Sequence, residues 1–219
     1  MRLLAINGSP RKNWNTAQLL EQVVAGAKTA GADAELVHLR DLKYTGCVSC
    51  FSCKKIGGPS YGRCVLQDEL RPVLDKAHEA DVLVLGSPFY FSTESAFMRA
   101  FEERLWFQYH LYSNIKPPMS PRKKATALIY TMNVRQEEMP AYGKDRIVAT
   151  AKRLMEHMFA PCEVLLSCDT LQFDDYSRYD TDRWDAKAKQ ERHDTVFQQE
   201  LKDAHALGQR LVSQENHIF

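Results

Sequence analysis

The chain has 219 residues, 44% of them hydrophobic, enough to bury one sizeable core without requiring a second domain. Its 29 basic and 28 acidic residues leave a formal net charge of +1, so there is no electrostatic case for nucleic acid or a membrane surface. No apolar run approaches membrane-spanning length, the N-terminus enters a strand without a signal-like series of regions, and four of the six cysteines crowd one loop; a cytoplasmic protein with metal or redox chemistry is expected rather than a disulfide framework.

The first element is a short apolar run, Leu3 to Ile6, that stops in Asn7-Gly8-Ser9-Pro10-Arg11-Lys12-Asn13-Trp14-Asn15-Thr16. It reads as a buried parallel strand, a loop and a helix start, with Asn15 or Thr16 as the cap. The free N–H groups and positive dipole end of that helix, with the hydroxyls of Ser9 and Thr16, suit a phosphate without a dedicated lysine. Neither the three-glycine dinucleotide fingerprint nor a glycine-rich loop closed by Gly-Lys-Ser/Thr is present.

Helical spacing of Ala17, Leu20, Val23, Val24 and Ala27 follows, closed by Gly31. A second strand, Ala34 to Leu39, alternates in a way that suits a sheet edge. After the cysteine loop, a helix is expected from Asp68 with Leu70, Val73, Leu74 and Ala77 inward. Val82 to Leu85 is the most central-looking strand and stops at Gly86-Ser87-Pro88. Glu94 to about Tyr112 reads as a third helix, with Phe97, Ala100, Phe101, Leu105 and Gln108 on one face and an aromatic excess that suggests a partner subunit. Pro117, Pro118 and Pro121 form a turn, and Arg122-Lys123-Lys124 a solvated basic entry to a fourth strand, Ala125 to Tyr130. A fourth helix, Asp145 to Phe159, and a fifth strand, Glu163 to Ser167, come next. The segment 169–182 is acidic, Tyr-rich and without period, and it precedes a last helix marked by Phe197, Leu201, Ala204, Leu207 and Leu211.

Strands and helices alternating in this way imply a parallel sheet with helices on both faces, because each parallel strand needs a right-handed crossover. A ligand then sits beyond the carboxyl ends of the strands, at the topological switch point.

The stretch Asn7, Gly8, Ser9, Pro10, Arg11, Lys12, Asn15, Thr16 resembles the phosphate loop of flavodoxin-like FMN proteins, specifically the NAD(P)H-dependent FMN reductases and iron-sulfur flavoproteins. The resemblance covers about the first 170 residues and implies a flavodoxin-like α/β three-layer sandwich, a five-stranded parallel sheet of order 2-1-3-4-5 in one domain, 1–219. In that order, the loops after the first and third strands meet at the switch point. It implies that Ser9, Arg11, Asn15 and Thr16 hold the FMN phosphate. The loop Pro88, Phe89, Tyr90, Phe91, Ser92 resembles the family's Ser-Pro-x-Tyr loop and would hold the ring; three consecutive aromatics cannot share one face, so at least one points to the cleft or to a partner. Relatives often carry a glycine after the fourth strand, where this chain has Thr131-Met132-Asn133-Val134, and backbone contacts to the flavin edge are carried over to Met132 and Asn133.

The cysteine-rich loop at 44–66 contains Cys47-x2-Cys50-x2-Cys53-x10-Cys64. Four thiolates at this density match an iron-sulfur cluster or a structural zinc, and free redox-active thiols are the third reading. The first three cysteines resemble those of the iron-sulfur flavoproteins, implying a 4Fe-4S cluster, although the last gap is longer than is usual there. Lys54, Lys55 and Arg63 could balance its charge. Cys162 and Cys168 read as buried structural thiols. His110 and His157 read as interface or core residues, and no hydrolytic pattern is present.

The function implied is an FMN-dependent oxidoreductase that passes electrons from NAD(P)H or a reduced carrier to a small-molecule or protein acceptor; the aromatic-rich third helix and the C-terminal extension from about 169 suggest a homodimer or higher homo-oligomer in which the second subunit helps to close the flavin site. The rival readings are a cluster-free FMN, quinone or azo reductase and a non-enzymatic electron-transfer flavoprotein or zinc-stabilised module.

Overall fold

The computed structural model describes residues 1–120, 122–159 and 161–213; Pro121 of the expected turn lies outside the described residues. Five parallel strands form the sheet: β1 (Arg2–Asn7), β2 (Asp33–His38), β3 (Val82–Tyr90), β5 (Ala125–Thr131) and β6 (Cys162–Ser167). Their order is β2-β1-β3-β5-β6, the 2-1-3-4-5 order expected, with β2 at an edge. A sixth strand, β4 (Thr93–Glu94), was not expected; it turns back antiparallel on the end of β3, pairing Phe89 with Glu94 and Tyr90 with Thr93.

Strand alternation divides the apolar residues between two cores. Leu4, Ile6, Leu83, Leu85 and Leu128 face one side, covered by α2 (Arg71–Glu79), α3 (Ala96–Tyr109) and α4 (Lys144–Met158). Leu3, Ala5, Val82, Val84, Ala127 and Ile129 face the other, covered by α1 (Asn15–Thr29) and α6 (Val196–Ser213). These last two helices cross in backbone contact. A Cβ on Gly26 would lie 1.9 Å from the His205 carbonyl oxygen, and one on Gly208 would lie 2.0 Å from that of Val23. The last helix therefore completes the sheet's second layer, and the added part of the C-terminal segment is 169–195. That stretch holds a helix the sequence pattern did not reveal, α5 (Ala186–Asp194), capped by the Asp185 carboxylate, which accepts from the Lys187 and Ala188 N–H groups.

Several boundaries differ for local reasons. The helix expected at Asp68 begins at Arg71, since the Asp68 carboxylate is engaged by Arg104 and Pro72 occupies the first turn. β3 does not stop at Gly86, because Gly86, Ser87 and Pro88 continue its ladder against Ile129, Tyr130 and Thr131. The third helix starts only after Ser95, whose Oγ accepts the Met98 N–H at 3.2 Å, and ends at Tyr109. Lys124 is not part of a solvated rim: it is buried, with Nζ donating to the carbonyls of Ala77 at 2.6 Å and His78 at 3.2 Å. His110 is partly exposed and His157 exposed, so neither is a core residue. Cys162 and Cys168 are buried, and burial raises both thiols to about 11.

Candidate functional site

β1, β3 and β5 end side by side, and their following loops border an open cleft of about 120 Å³. Ser9, Arg11, Asn15, Thr16, Pro88, Phe89, Tyr90, Met132 and Asn133 line it, together with Trp14, Thr131, Thr170 and Gln172. The loop after β1 is braced from within. Burial and the nearby Lys12 ammonium lower His38, and its Nδ1 accepts from the Asn7 amide at 2.9 Å. This turns the Asn7 oxygen toward the Ser9 N–H, 2.8 Å away, and Ser9 Oγ accepts the Arg11 N–H at 3.1 Å.

The expected side-chain cap on α1 is absent: Trp14 occupies the cap position and its side chain makes no capping bond, and Asn15 and Thr16 are the first helical residues. The backbone ladder opens with Gln18 N–H to the Trp14 carbonyl at 3.0 Å. The N–H groups of Asn15, Thr16 and Ala17 precede it, a donor set matched to an anion. Thr16 is held by Thr131, with 2.7 Å between the hydroxyls. Arg11, Trp14 and Asn15 each donate to the carbonyl of Leu171 or Gln172, at 2.7–3.1 Å. The segment after β6 thus forms a wall of the loop after β1 that the sequence pattern did not disclose.

Phe89 is buried against Tyr130, centroids 4.6 Å apart, and Tyr90 is exposed at the cleft. Phe91 and Ser92, expected to hold the ring, do not line the cleft. They form the two-residue turn between β3 and β4 with φ of +49° and +67°, which swings Phe91 fully into solvent. Ser92 Oγ instead accepts from Lys144 at 3.4 Å. The third loop closes without glycine because the chain after β6 buttresses it. The Met132 N–H donates to Ser167 at 2.9 Å and its carbonyl accepts the Thr170 N–H at 3.1 Å, so its backbone is not available to a flavin edge. Lys189 of α5 donates to the side chains of Asn133 and Asp169, clamping the loops after β5 and β6 together.

The cysteine loop runs along α3. Cys47, Cys50, Cys53 and Cys64 all line one pocket whose other walls include Phe51, Val65, Leu66, Phe107, Arg104 and Gln108. Cys53 is buried, Cys47 and Cys64 are partly so, and Cys50 is exposed. Ser49 and Phe51 on either side of Cys50 have φ of +52° and +57°, conformations that cost of order 1 kcal/mol or more for residues with a Cβ and that persist where the surrounding structure holds them. Hydrogen bonds from the Ser52 backbone and hydroxyl lower Cys50. Desolvation raises Cys53, with the Cys64 and Cys47 charges acting in the same sense against Lys54.

Every residue that grips this loop from α3 was missed as functional. The Glu103 carboxylate accepts the Cys47 N–H at 3.2 Å, Gln108 Oε1 accepts the Cys64 N–H at 3.0 Å, and the Phe107 carbonyl accepts from Lys54. Arg104, buried, donates to Asp68 and to the Thr45 and Leu66 carbonyls. The aromatic and apolar excess of α3, expected to signal a partner subunit, is covered largely within the chain. The overlooked signal was Glu103, Arg104, Phe107 and Gln108, pairs spaced four residues apart on the side of α3 facing the loop.

Among the described residues no group of three or more His, Cys, Asp and Glu is set to hold a metal ion. The four cysteines of the loop nevertheless line one pocket. The buried Nε of Arg104 and Nε2 of Gln108, which lack partners among the described residues, are donors of the kind a sulfide cluster accepts.

Residues 1–143 match the family model described as NADPH-dependent FMN reductase. An iron-sulfur flavoprotein of Archaeoglobus fulgidus is 39% identical over 104 residues, covering 48% of this chain and 48% of that protein. The chain thus spans about half the length of the curated relatives it matches. Among solved structures, an NAD(P)H:quinone oxidoreductase from Methanothermobacter marburgensis superposes with a TM-score of 0.69 at 14% identity, covering 96% of this chain and 98% of that one. A flavodoxin from the domain Archaea gives 0.52 at 15% identity, over 99% and 100% of the two chains.

Proposed function

This chain belongs to the NADPH-dependent FMN reductase family, and we propose that it binds FMN at the ends of β1, β3 and β5 and passes electrons from NAD(P)H or a reduced carrier to a small or protein acceptor. The observation that carries this reading is the cleft itself: uncapped helix N–H groups and hydroxyls at one end, and an aromatic wall at the other. Ser9, Thr16 and the first turn of α1 would hold the phosphate, with Arg11 at its rim. Pro88, Phe89, Tyr90 and Asn133 would flank the ring. FMN bound there supplies hydride acceptance and stepwise electron delivery. The chain's own contribution is orientation and exclusion of water. Thr131 fixes the Thr16 hydroxyl, Lys189 fixes Asn133, and the Phe89–Tyr130 pair gives the ring a rigid apolar neighbour.

The 4Fe-4S reading is part of the proposal, with Cys47, Cys50, Cys53 and Cys64 as ligands, and it is supported by the shared pocket and by the iron-sulfur flavoproteins among the relatives. A homodimer is also part of it, supported by Phe91, which stands wholly exposed on the hairpin beside the cleft. All six cysteines are free thiols, and no described helix is long and apolar enough to cross a membrane, in keeping with the proposed cytoplasmic location.

The test is anaerobic titration of the flavin-loaded protein with NADPH and with NADH, followed by steady-state turnover with a quinone. Bleaching of the flavin absorbance and turnover are expected. A flavin that neither nucleotide reduces would leave the electron-carrier reading instead.

A further inference from the structure

Building on the cluster reading, we propose that Gln108 and Arg104 are positioning residues that direct N–H hydrogen bonds at the group held by the four cysteines, and so raise its reduction potential. Both side chains are buried, four residues apart on one face of α3, and both line the cysteine pocket.

Gln108 carries the argument. Its Oε1 accepts the backbone N–H of Cys64 at 3.0 Å. Only an oxygen can accept there, so the amide orientation is fixed and Nε2 is its other end. That nitrogen is buried and has no partner among the described residues. A donor left so costs roughly 1–3 kcal/mol, and the acceptors near it are the Tyr109 hydroxyl and the cysteine sulfur of the pocket wall.

Arg104 repeats the pattern. Its terminal nitrogens are taken by Asp68, Thr45 and Leu66, which hold the guanidinium in place, while its buried Nε has no partner among the described residues. Asp68 offsets the guanidinium charge, so the remaining effect is that of an aimed donor beside Cys64.

The consequence is electrostatic. Four thiolates and the sulfides of a cluster concentrate negative charge in an apolar pocket, and uptake of one electron adds another unit of it. Donors that point at sulfur stabilise the more negative form and move the couple to higher potential, the outer-shell lever of metal sites. Because Gln108 bonds the Cys64 backbone, the same side chain sets both the position of one ligand and the polarity around it.

The test uses the full chain purified anaerobically with its flavin, as wild type, Gln108→Leu and Arg104→Lys. Iron and FMN are counted, the cluster's midpoint potential is measured by dithionite titration followed by electron paramagnetic resonance, and Fe–S stretching is read by resonance Raman. The expected result is unchanged FMN, retained iron, a midpoint displaced to more negative values in Q108L, and a smaller displacement with shifted Fe–S stretching in R104K. Wild-type potential and stretching frequencies in both variants would overturn the inference and leave the cluster reading intact. Loss of iron with an unmoved potential in the residual cluster would reduce both residues to structural supports and overturn it as well. A wild-type protein full of FMN but free of iron would overturn the cluster reading and this inference together.

Discussion

The cleft after β1 and the pocket under the cysteines are joined by one helix, yet they are finished to different degrees. Ser95, the cap of α3, donates to the Gly8 carbonyl in the phosphate loop, while Glu103, Arg104 and Gln108 farther along the same helix hold the cysteine loop. In the cleft the side-chain polar groups are mostly bonded to one another: Asn7 to His38 and Ser9, Thr16 to Thr131, Arg11 and Asn15 to the chain after β6. In the pocket, buried donors are left over and residues flanking a cysteine sit at positive φ. The difference is that between a site preorganised by its own bonds and one that, on the proposed reading, would complete its bonding through a bound group.

The largest effect expected from breaking this comparison is at the cysteines. Replacing Cys53 and Cys64 together with Ala is expected to abolish iron binding while FMN content stays at one per chain, since the cleft does not depend on the loop. Parallel loss of both would show the two regions to be one unit. In the cleft, Ser9→Ala with Thr16→Ala removes two hydroxyls from the anion site. About 3 kcal/mol, roughly a hundredfold in Kd, is expected in fluorescence-quenching titrations with FMN. Unchanged affinity would remove the phosphate assignment.

Glu102 tests the helix between the regions. It is fully buried, with neither oxygen hydrogen-bonded among the described residues and Arg99 3.6 Å away, and burial holds its carboxyl well above the usual range, with Glu94 adding to the shift. The folded chain therefore keeps this proton at pH values where the unfolded chain has released it. Its contribution to stability is present in full below the unfolded carboxylate value and is lost as pH rises toward the folded one. Denaturant midpoints measured across that window should fall with pH in wild type and flatten in Glu102→Gln. An identical slope in both would mean that Glu102 is not the titrating group.

The smallest effect belongs to the hairpin. Phe91→Asn with Ser92→Gly suits a turn with two positive φ angles and should raise stability by about 1 kcal/mol in chemical denaturation of the monomer, without changing FMN affinity. A weakened dimer in sedimentation equilibrium would sharpen the picture by giving Phe91 its partner.

The parallel sheet with helices on both faces was legible in the sequence, because continuous apolar strands such as Leu3 to Ile6 alternate with helices of regular apolar spacing, and the strand order followed from the family resemblance. The first loop was legible because its turn residues are contiguous. Less was legible where distant segments meet. That Leu171 and Gln172 would wall the phosphate loop, or that Lys189 would replace a glycine as the device closing the third loop, depends on pairings across more than 50 residues that carry no local period. Arg104 and Gln108 were hidden differently: Gln108 falls in the apolar pattern of Phe97, Phe101 and Leu105, and Arg104 carries no periodic signal, whereas here both side chains grip the cysteine loop. Phe91 was misplaced because consecutive aromatics do not reveal which of them occupies the turn.

The most direct test of the two-region account is the visible spectrum of anaerobically purified protein, with FMN, iron, zinc and acid-labile sulfide counted on the same sample. Flavin bands over a broad iron-sulfur absorption are expected, with one FMN and about four irons and four sulfides per chain. Flavin with no iron would contradict the account of the pocket, and zinc without flavin would contradict that of both regions.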